Sequence, residues 1–156
     1  MDTHSTQITR HIKAPRQKVY RALLDVEKLP LWKVPDGMMM QVHEFEGRVG
    51  GAFRISLTYD GPNETGKTTA QTDTYHGRYV ELIPDTKIVE EDEFETSDPA
   101  LQGVMTISMT LTDRDGGADL VAVHDGLPKG VSAADNQLGW EMALKKLAAL
   151  VEAEPF

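Results

Sequence analysis

The sequence predicts an α+β domain in which a curved antiparallel sheet of about six or seven strands wraps around a long C-terminal helix. Segments with strand-like alternation follow one another through the middle of the chain, with no helical stripe between them. Two short helical segments follow the first strand, and a long amphipathic segment ends the chain. A run of strands with helices at its two ends is typical of an antiparallel sheet covered by a helix.

Alternation of apolar and polar side chains gives the predicted strands. In residues 52–59, Phe53, Ile55 and Leu57 share one face, and Arg54 and Ser56 share the other. The same pattern runs through residues 104–112. Shorter or weaker versions predict further strands at residues 7–13, 43–48, 72–82, 87–95 and 120–124. Glycine, proline and aspartate clusters between these segments predict turns.

The C-terminal helix has the clearest pattern in the sequence. Ser132, with Asp135 three residues later, resembles a capping box and predicts the start of the helix, which then runs to Glu152. Its apolar residues fall on one stripe: Ala133, Trp140, Leu144, Leu147, Ala148 and Val151. An earlier helix is predicted to begin at Ala14-Pro15, since proline suits a first helical turn, and a second at residues 26–31.

Composition limits the function classes. The chain has 156 residues and a net charge of −9, which disfavours binding to nucleic acid, since that needs basic patches. It has no cysteine, so disulfides, thiol catalysis and thiolate metal sites are excluded. The N-terminus lacks the pattern of a signal peptide, and no apolar run approaches the roughly 18 residues of a membrane span. We therefore expect one cytoplasmic domain over residues 1–156.

Residues 61–68, GPNETGKT, match the phosphate-loop pattern G-x-x-x-x-G-K-[ST]. That loop binds phosphate when it joins a buried parallel strand to the N-terminus of a helix. Here the preceding strand is half polar, and the following residues alternate like a strand. We interpret the segment as a hairpin loop.

Three residues are candidates for acid–base chemistry. Glu90 and Asp92 have the same strand parity as Ile88 and Phe94, so both carboxylates face the core if those apolar residues do. A carboxylate in an apolar cleft has a raised pKa and can act as an acid or base, especially near a histidine. The alternative, which the rarity of unpaired buried charges favours, is a solvated acidic edge. His124 has inward parity, but the five histidines show no metal-ligand spacing, and we expect no metal or cofactor.

Five segments together resemble the START-like (SRPBCC) superfamily, and most of all its AHSA-type (heat-shock-protein ATPase activator homologue) family. They are APRQKVYRAL at residues 14–23, LPLW at 29–32, RVGGAF at 48–53, GRYVELIP at 77–84 and GWEMALKKL at 139–147. Each is weak alone, but they occur in the family's order and cover nearly the whole chain.

The resemblance implies a helix-grip fold, with a cavity between the sheet and the C-terminal helix that typically binds a small apolar ligand. Two departures bear on that cavity. The family often has paired tryptophans where this chain has Trp32-Lys33, and it tends to have aromatic or apolar residues at the positions of Glu90 and Asp92. The expected pocket is therefore not purely apolar.

Three functions stay open. The leading hypothesis is binding of a small apolar or amphipathic ligand. The candidate lining residues are Trp32, Met38, Met40, Phe53, Ile55, Tyr79, Met105, Ile107, His124, Trp140 and Leu144. The second is a cyclase- or hydrolase-type enzyme that uses Glu90, Asp92 and His124, which must then converge in the cavity. The third is an interaction module for a chaperone, with Leu138 and Met142 on an exposed patch. The chain could also form a homodimer, which we keep as a further hypothesis.

Overall fold

The structure is a computed structural model of the chain, and it describes residues 4–59 and 72–153. Its strands are β1 (His4–Ile12), β2 (Met38–Phe45), β3 (Ala52–Tyr59), β4 (Thr72–Ile83), β5 (Lys87–Phe94), β6 (Met105–Arg114) and β7 (Gly117–Leu127). Its helices are α1 (Arg16–Leu23), α2 (Leu29–Trp32) and α3 (Ala133–Ala153). All seven strands form one antiparallel sheet in the order β1-β7-β6-β5-β4-β3-β2. This confirms the predicted α+β fold.

Strands β2 to β7 form a meander, in which each strand pairs with the next one along the chain, and β1 is added beside β7. β1 pairs with the last strand, with Ile8 opposite Ala122, so β1 and β2 are the two edges. Most of the large inward side chains are fully buried between the sheet and the helices. Rings of Phe53 and Tyr79 lie 5.2 Å apart near the β3 end of this core. Aromatic contact of this kind adds to the stabilisation from apolar burial.

The main error in the strand predictions concerns β2, which begins at Met38 rather than at residue 43. Met38 and Met40 are half-buried, whereas Met39 is 67% exposed, so the segment alternates as a strand does. Three identical residues carry no apolar–polar alternation, and the pattern was therefore invisible in the sequence. Gly37, with φ of +84°, turns the chain into this strand.

The predicted start of α3 is confirmed, and four of the six residues of its predicted stripe are buried, whereas Ala133 and Trp140 are half-buried. The Ser132 hydroxyl accepts a hydrogen bond from the Asp135 backbone N–H at 3.2 Å, which caps the helix. Its buried residues are Ala143, Leu144, Leu147, Ala148 and Val151. Among the described residues, no helix is both long and apolar enough to cross a membrane.

The segment that matches the phosphate-loop pattern, residues 61–68, lies outside the described residues. The described residues continue from Thr72 with strand β4, which pairs with β3 on one side and β5 on the other. The prediction that a strand, not a helix, follows the motif is therefore confirmed over Thr72–Ile83.

Candidate functional site

A cavity of about 570 Å³ lies between the inner face of the sheet and the N-terminal half of α3. The chain from Lys33 to Met38 forms one side of it, and residues 130–132 before α3 form another. Most of the side chains that line it are apolar: Val34, Pro35, Met38, Leu57, Phe94, Met105, Ile107, Leu127, Val131, Leu138, Trp140, Met142 and Ala143. Its polar lining side chains are Lys33, Asp36, Tyr59, Asp73, Tyr75, Asp92, His124, Ser132, Asp135 and Asn136.

Five of the eleven residues predicted as ligand contacts line this cavity: Met38, Met105, Ile107, His124 and Trp140. The other six do not line it: Trp32, Met40, Phe53, Ile55, Tyr79 and Leu144. Strand β3 shows the physical reason. Phe53, Ile55, Leu57 and Tyr59 share the inner face, but Phe53 and Ile55 are packed in the main core, and only Leu57 and Tyr59 reach the cavity.

Glu90 and Asp92 are buried, which overturns the preferred interpretation of a solvated acidic edge. Glu90 is fully buried, and Asp92 is 5% exposed. Their strand, β5, is paired on both sides, with β4 and β6, so it is not an edge. Asp92 lines the cavity, whereas Glu90 lies beyond its lining. Strand parity, which placed both carboxylates with Ile88, indicated the correct face.

Lys33, which was not among the predicted site residues, compensates the charge of the buried Glu90. Its Nζ atom lies 2.8 Å from a carboxylate oxygen of Glu90, and both side chains are almost completely buried. Burial by itself would lower the pKa of Lys33, but the Glu90 carboxylate, together with Tyr75, Tyr79 and Asp92, outweighs it and holds that pKa well above its ordinary value. Lys33 Nζ also lies 5.5 Å from the centre of the Phe53 ring. Lys33 is therefore a cation at neutral pH.

The second carboxyl group is in a different state. Burial, followed by the neighbouring Glu90 carboxylate, raises the pKa of Asp92 well above its ordinary value. Asp92 therefore favours its neutral form more than an exposed aspartate does, beside the Lys33–Glu90 ion pair. Gly77, opposite Asp92 on β4, makes room for it, since a Cβ atom there would lie 2.8 Å from Asp92 Oδ1.

His124 belongs to a hydrogen-bonded chain that joins β1, β7 and α3. The Trp140 indole N–H donates to His124 Nδ1 at 3.1 Å. The Asn136 side-chain amide lies 3.3 Å from the same nitrogen, and its oxygen accepts from the Thr6 hydroxyl at 2.7 Å. Burial, aided by the positive charge of Lys33, lowers the pKa of His124 to about 4, although the carboxylates of Glu90 and Asp125 oppose the shift. The imidazole is therefore neutral at pH 7.

The three predicted acid–base residues do not form one catalytic cluster. Glu90 lies opposite Ile107, which in turn lies opposite His124, so an apolar side chain separates the two. Strands that are two positions apart in a sheet are about 10 Å apart. Within residues 4–59 and 72–153, no hydrogen bond joins His124 to Glu90 or Asp92, and no group of residues has the arrangement of a metal site.

Residues 13–152 match the protein family described as Activator of Hsp90 ATPase homolog 1-like protein. The chain belongs to this family. The resemblance stated from the sequence motifs is thereby confirmed, including its extent. Lys33 and Glu90, one residue from each of the two departures noted in the sequence motifs (Trp32-Lys33, and Glu90 with Asp92), lie in direct contact as an ion pair.

Solved structures agree with the membership of the Activator of Hsp90 ATPase homolog 1-like family. A protein from Chromobacterium violaceum is 36% identical, with a TM-score of 0.86 over 96% of this chain and 98% of that one. A protein from Rhodobacter sphaeroides is 23% identical, with a TM-score of 0.78 over 98% and 94%. A protein of the dynemicin biosynthetic locus shares the fold at 17% identity, with a TM-score of 0.65 over 96% and 47%. The search of curated proteins found no match.

Proposed function

We propose that the protein binds a small, partly apolar ligand in the cavity between the sheet and α3. The observation that carries this proposal is the cavity itself. Its volume of about 570 Å³ lies in the range of small-molecule sites, which are roughly 300–1,000 Å³. Its lining is mostly apolar by area with several polar side chains among the apolar ones, which is a usual composition of such sites.

The arrangement of polar groups supports binding over acid–base catalysis. Glu90 is engaged with Lys33 and lies outside the cavity lining, so it cannot contact a ligand there. Ile107 separates it from His124. The enzyme hypothesis required Glu90, Asp92 and His124 to converge, and this requirement is not met.

The chaperone hypothesis depended on an exposed patch at Leu138 and Met142. Leu138 is 52% exposed, but both residues line the cavity, so their apolar surface belongs to the same site. These side chains can contact a ligand at the opening of the cavity. We therefore assign them to ligand binding in this proposal.

A thermal-shift screen against apolar and amphipathic compounds, including polycyclic aromatics and fatty acids, tests the proposal. A ligand that binds only the native state raises Tm by mass action. Leu57→Trp extends a half-buried side chain into the cavity and should abolish the shift. Thr58→Trp is the matched control, since it adds the same side chain to the exposed face of β3.

The proposal predicts a shift for the native chain and for Thr58→Trp, and none for Leu57→Trp. Equal shifts in both variants would mean that the compounds bind elsewhere. If no compound in the screen stabilises the native chain, the proposal is wrong.

A further inference from the structure

The hydrogen bonds around His124 determine which of its ring nitrogens carries the proton. An indole N–H can only donate, so His124 Nδ1 must accept the hydrogen bond from Trp140. The Asn136 side chain also donates to Nδ1, because its oxygen already accepts a hydrogen bond from the Thr6 hydroxyl and its NH₂ group faces Nδ1. A neutral imidazole has one N–H, and it must therefore be at Nε2.

Nε2 is a buried donor with nothing to donate to. His124 is 8% exposed, and in the described part of the chain its Nε2 atom has no hydrogen-bond partner. Such a group costs free energy unless a ligand or solvent satisfies it. The residue lines the cavity, opposite Ile107 in the sheet and with its ring edge-on to that of Trp140. The ring cannot turn without breaking the contacts at Nδ1.

The charges near this donor disfavour an anionic ligand. The ammonium of Lys33, a cation in the lining, is already paired with Glu90. Asp36, Asp73 and Asp135 also line the cavity, so acidic residues outnumber basic ones there. A carboxylate or phosphate brought into this site would lose its hydration without gaining a free cation.

We propose that the Nε2–H of His124 anchors an uncharged oxygen acceptor, such as the carbonyl oxygen of an apolar polycyclic ketone, in the cavity. The inference rests on the proposed ligand-binding function and adds the chemical class of the ligand. His124 is the specificity-determining residue, and Trp140 and Asn136 are positioning residues that hold its tautomer.

Three compounds with one ring system test the choice of ligand: fluorenone, fluorene and fluorenecarboxylate. Their Kd values for the native chain are measured by calorimetry. We expect fluorenone to bind about tenfold more tightly than fluorene, since it satisfies a buried donor that the hydrocarbon leaves unpaired. Fluorenecarboxylate should bind more weakly than fluorenone. His124→Leu should abolish the difference between fluorenone and fluorene, and His124→Gln, whose amide N–H can replace Nε2–H, should retain part of it.

The outcomes separate this inference from the proposed function. Equal affinity of the native chain for fluorenone and fluorene, or tighter binding of the carboxylate, overturns the inference and leaves apolar binding intact. Failure of all three compounds and of the wider screen overturns both. Long-range ¹H–¹⁵N NMR of the native chain provides a test without substitutions. It should show the His124 proton on Nε2, and a proton on Nδ1 would overturn the inference.

Discussion

Replacing Lys33 with methionine removes the cation from the buried pair and leaves Glu90 without a partner in the core. Two unit charges 2.8 Å apart attract by about 6 kcal/mol at an effective dielectric constant of about 20. Much of that attraction is offset by the cost of dehydrating both groups. When only one partner is removed, the dehydration cost of the other remains, and buried pairs then lose about 3–5 kcal/mol.

We therefore expect Lys33→Met to lower the free energy of unfolding by about 3–5 kcal/mol at pH 7, measured by urea denaturation. The raised pKa of Lys33 means that its contribution is fully present below the ordinary lysine pKa of about 10.5 and is lost as pH rises through the higher folded-state pKa. Measurement at pH 7 is thus made where the contribution is complete.

Two further variants make this prediction decisive. Lys33→Met combined with Glu90→Leu removes both charges, and should recover most of the lost stability, since apolar replacement of a whole buried pair is often neutral. Arg54→Met is the control: it breaks the exposed two-bond ion pair with Glu95, and should cost less than about 1 kcal/mol. A cost for Lys33→Met no larger than that of Arg54→Met would refute the reasoning. So would a double variant less stable than the single one.

Three other substitutions probe the same region. Burial and the Glu90 carboxylate raise the pKa of Asp92 in the folded state, so folding is disfavoured as pH rises above about 3.8, where Asp92 ionises in the unfolded chain. Asp92→Asn should therefore raise Tm at pH 7 and much less at pH 4. The pKa of His124 is lowered to about 4, so its contribution to the free energy of unfolding should fall by about 3 kcal/mol as pH drops from 6.5 to 4. In urea titrations, His124→Gln should reduce this dependence of the free energy of unfolding on pH. Gly77→Ala places a Cβ atom in steric overlap with the backbone oxygen of Glu91 and 2.7 Å from the Phe53 ring, and should cost about 2–3 kcal/mol or more. Gly37→Ala meets no neighbouring atom but has φ of +84°, and should cost about 1–2 kcal/mol. Equal costs would contradict the steric account.

The fold was predictable because the patterns that specify it are local. Strand alternation, the turn residues and the stripe of α3 each occupy a few consecutive residues, and the structure confirms the elements they predicted. Alternation identifies the face of the sheet on which a side chain lies. It does not say how far along that face the covering helix makes contact, so Phe53 and Ile55 were expected in the cavity and Leu57 was not.

The polar groups in and beside the cavity were harder to predict because they come from distant segments. Lys33 and Glu90 are 57 residues apart in the chain, and neither position alone indicates a partner. Without a visible cation, two carboxylates at core parity were more reasonably assigned to an exposed edge. Two buried carboxylates require a compensating charge, but most lysines of the chain stand next to a buried apolar residue, so their position in the sequence does not single out Lys33.

The ion pair has a consequence for the ligand site as well as for stability. The carboxylate of Glu90 raises the pKa of Asp92 by more than the ammonium of Lys33 lowers it. At His124 the same carboxylate also raises the pKa by more than Lys33 lowers it, so the neutral imidazole there results from burial and not from the pair. Replacing the pair with apolar residues should therefore preserve the fold, lower the pKa of Asp92 and leave His124 neutral. The pair is thus better explained by its effect on Asp92 in the cavity than by the stability it adds.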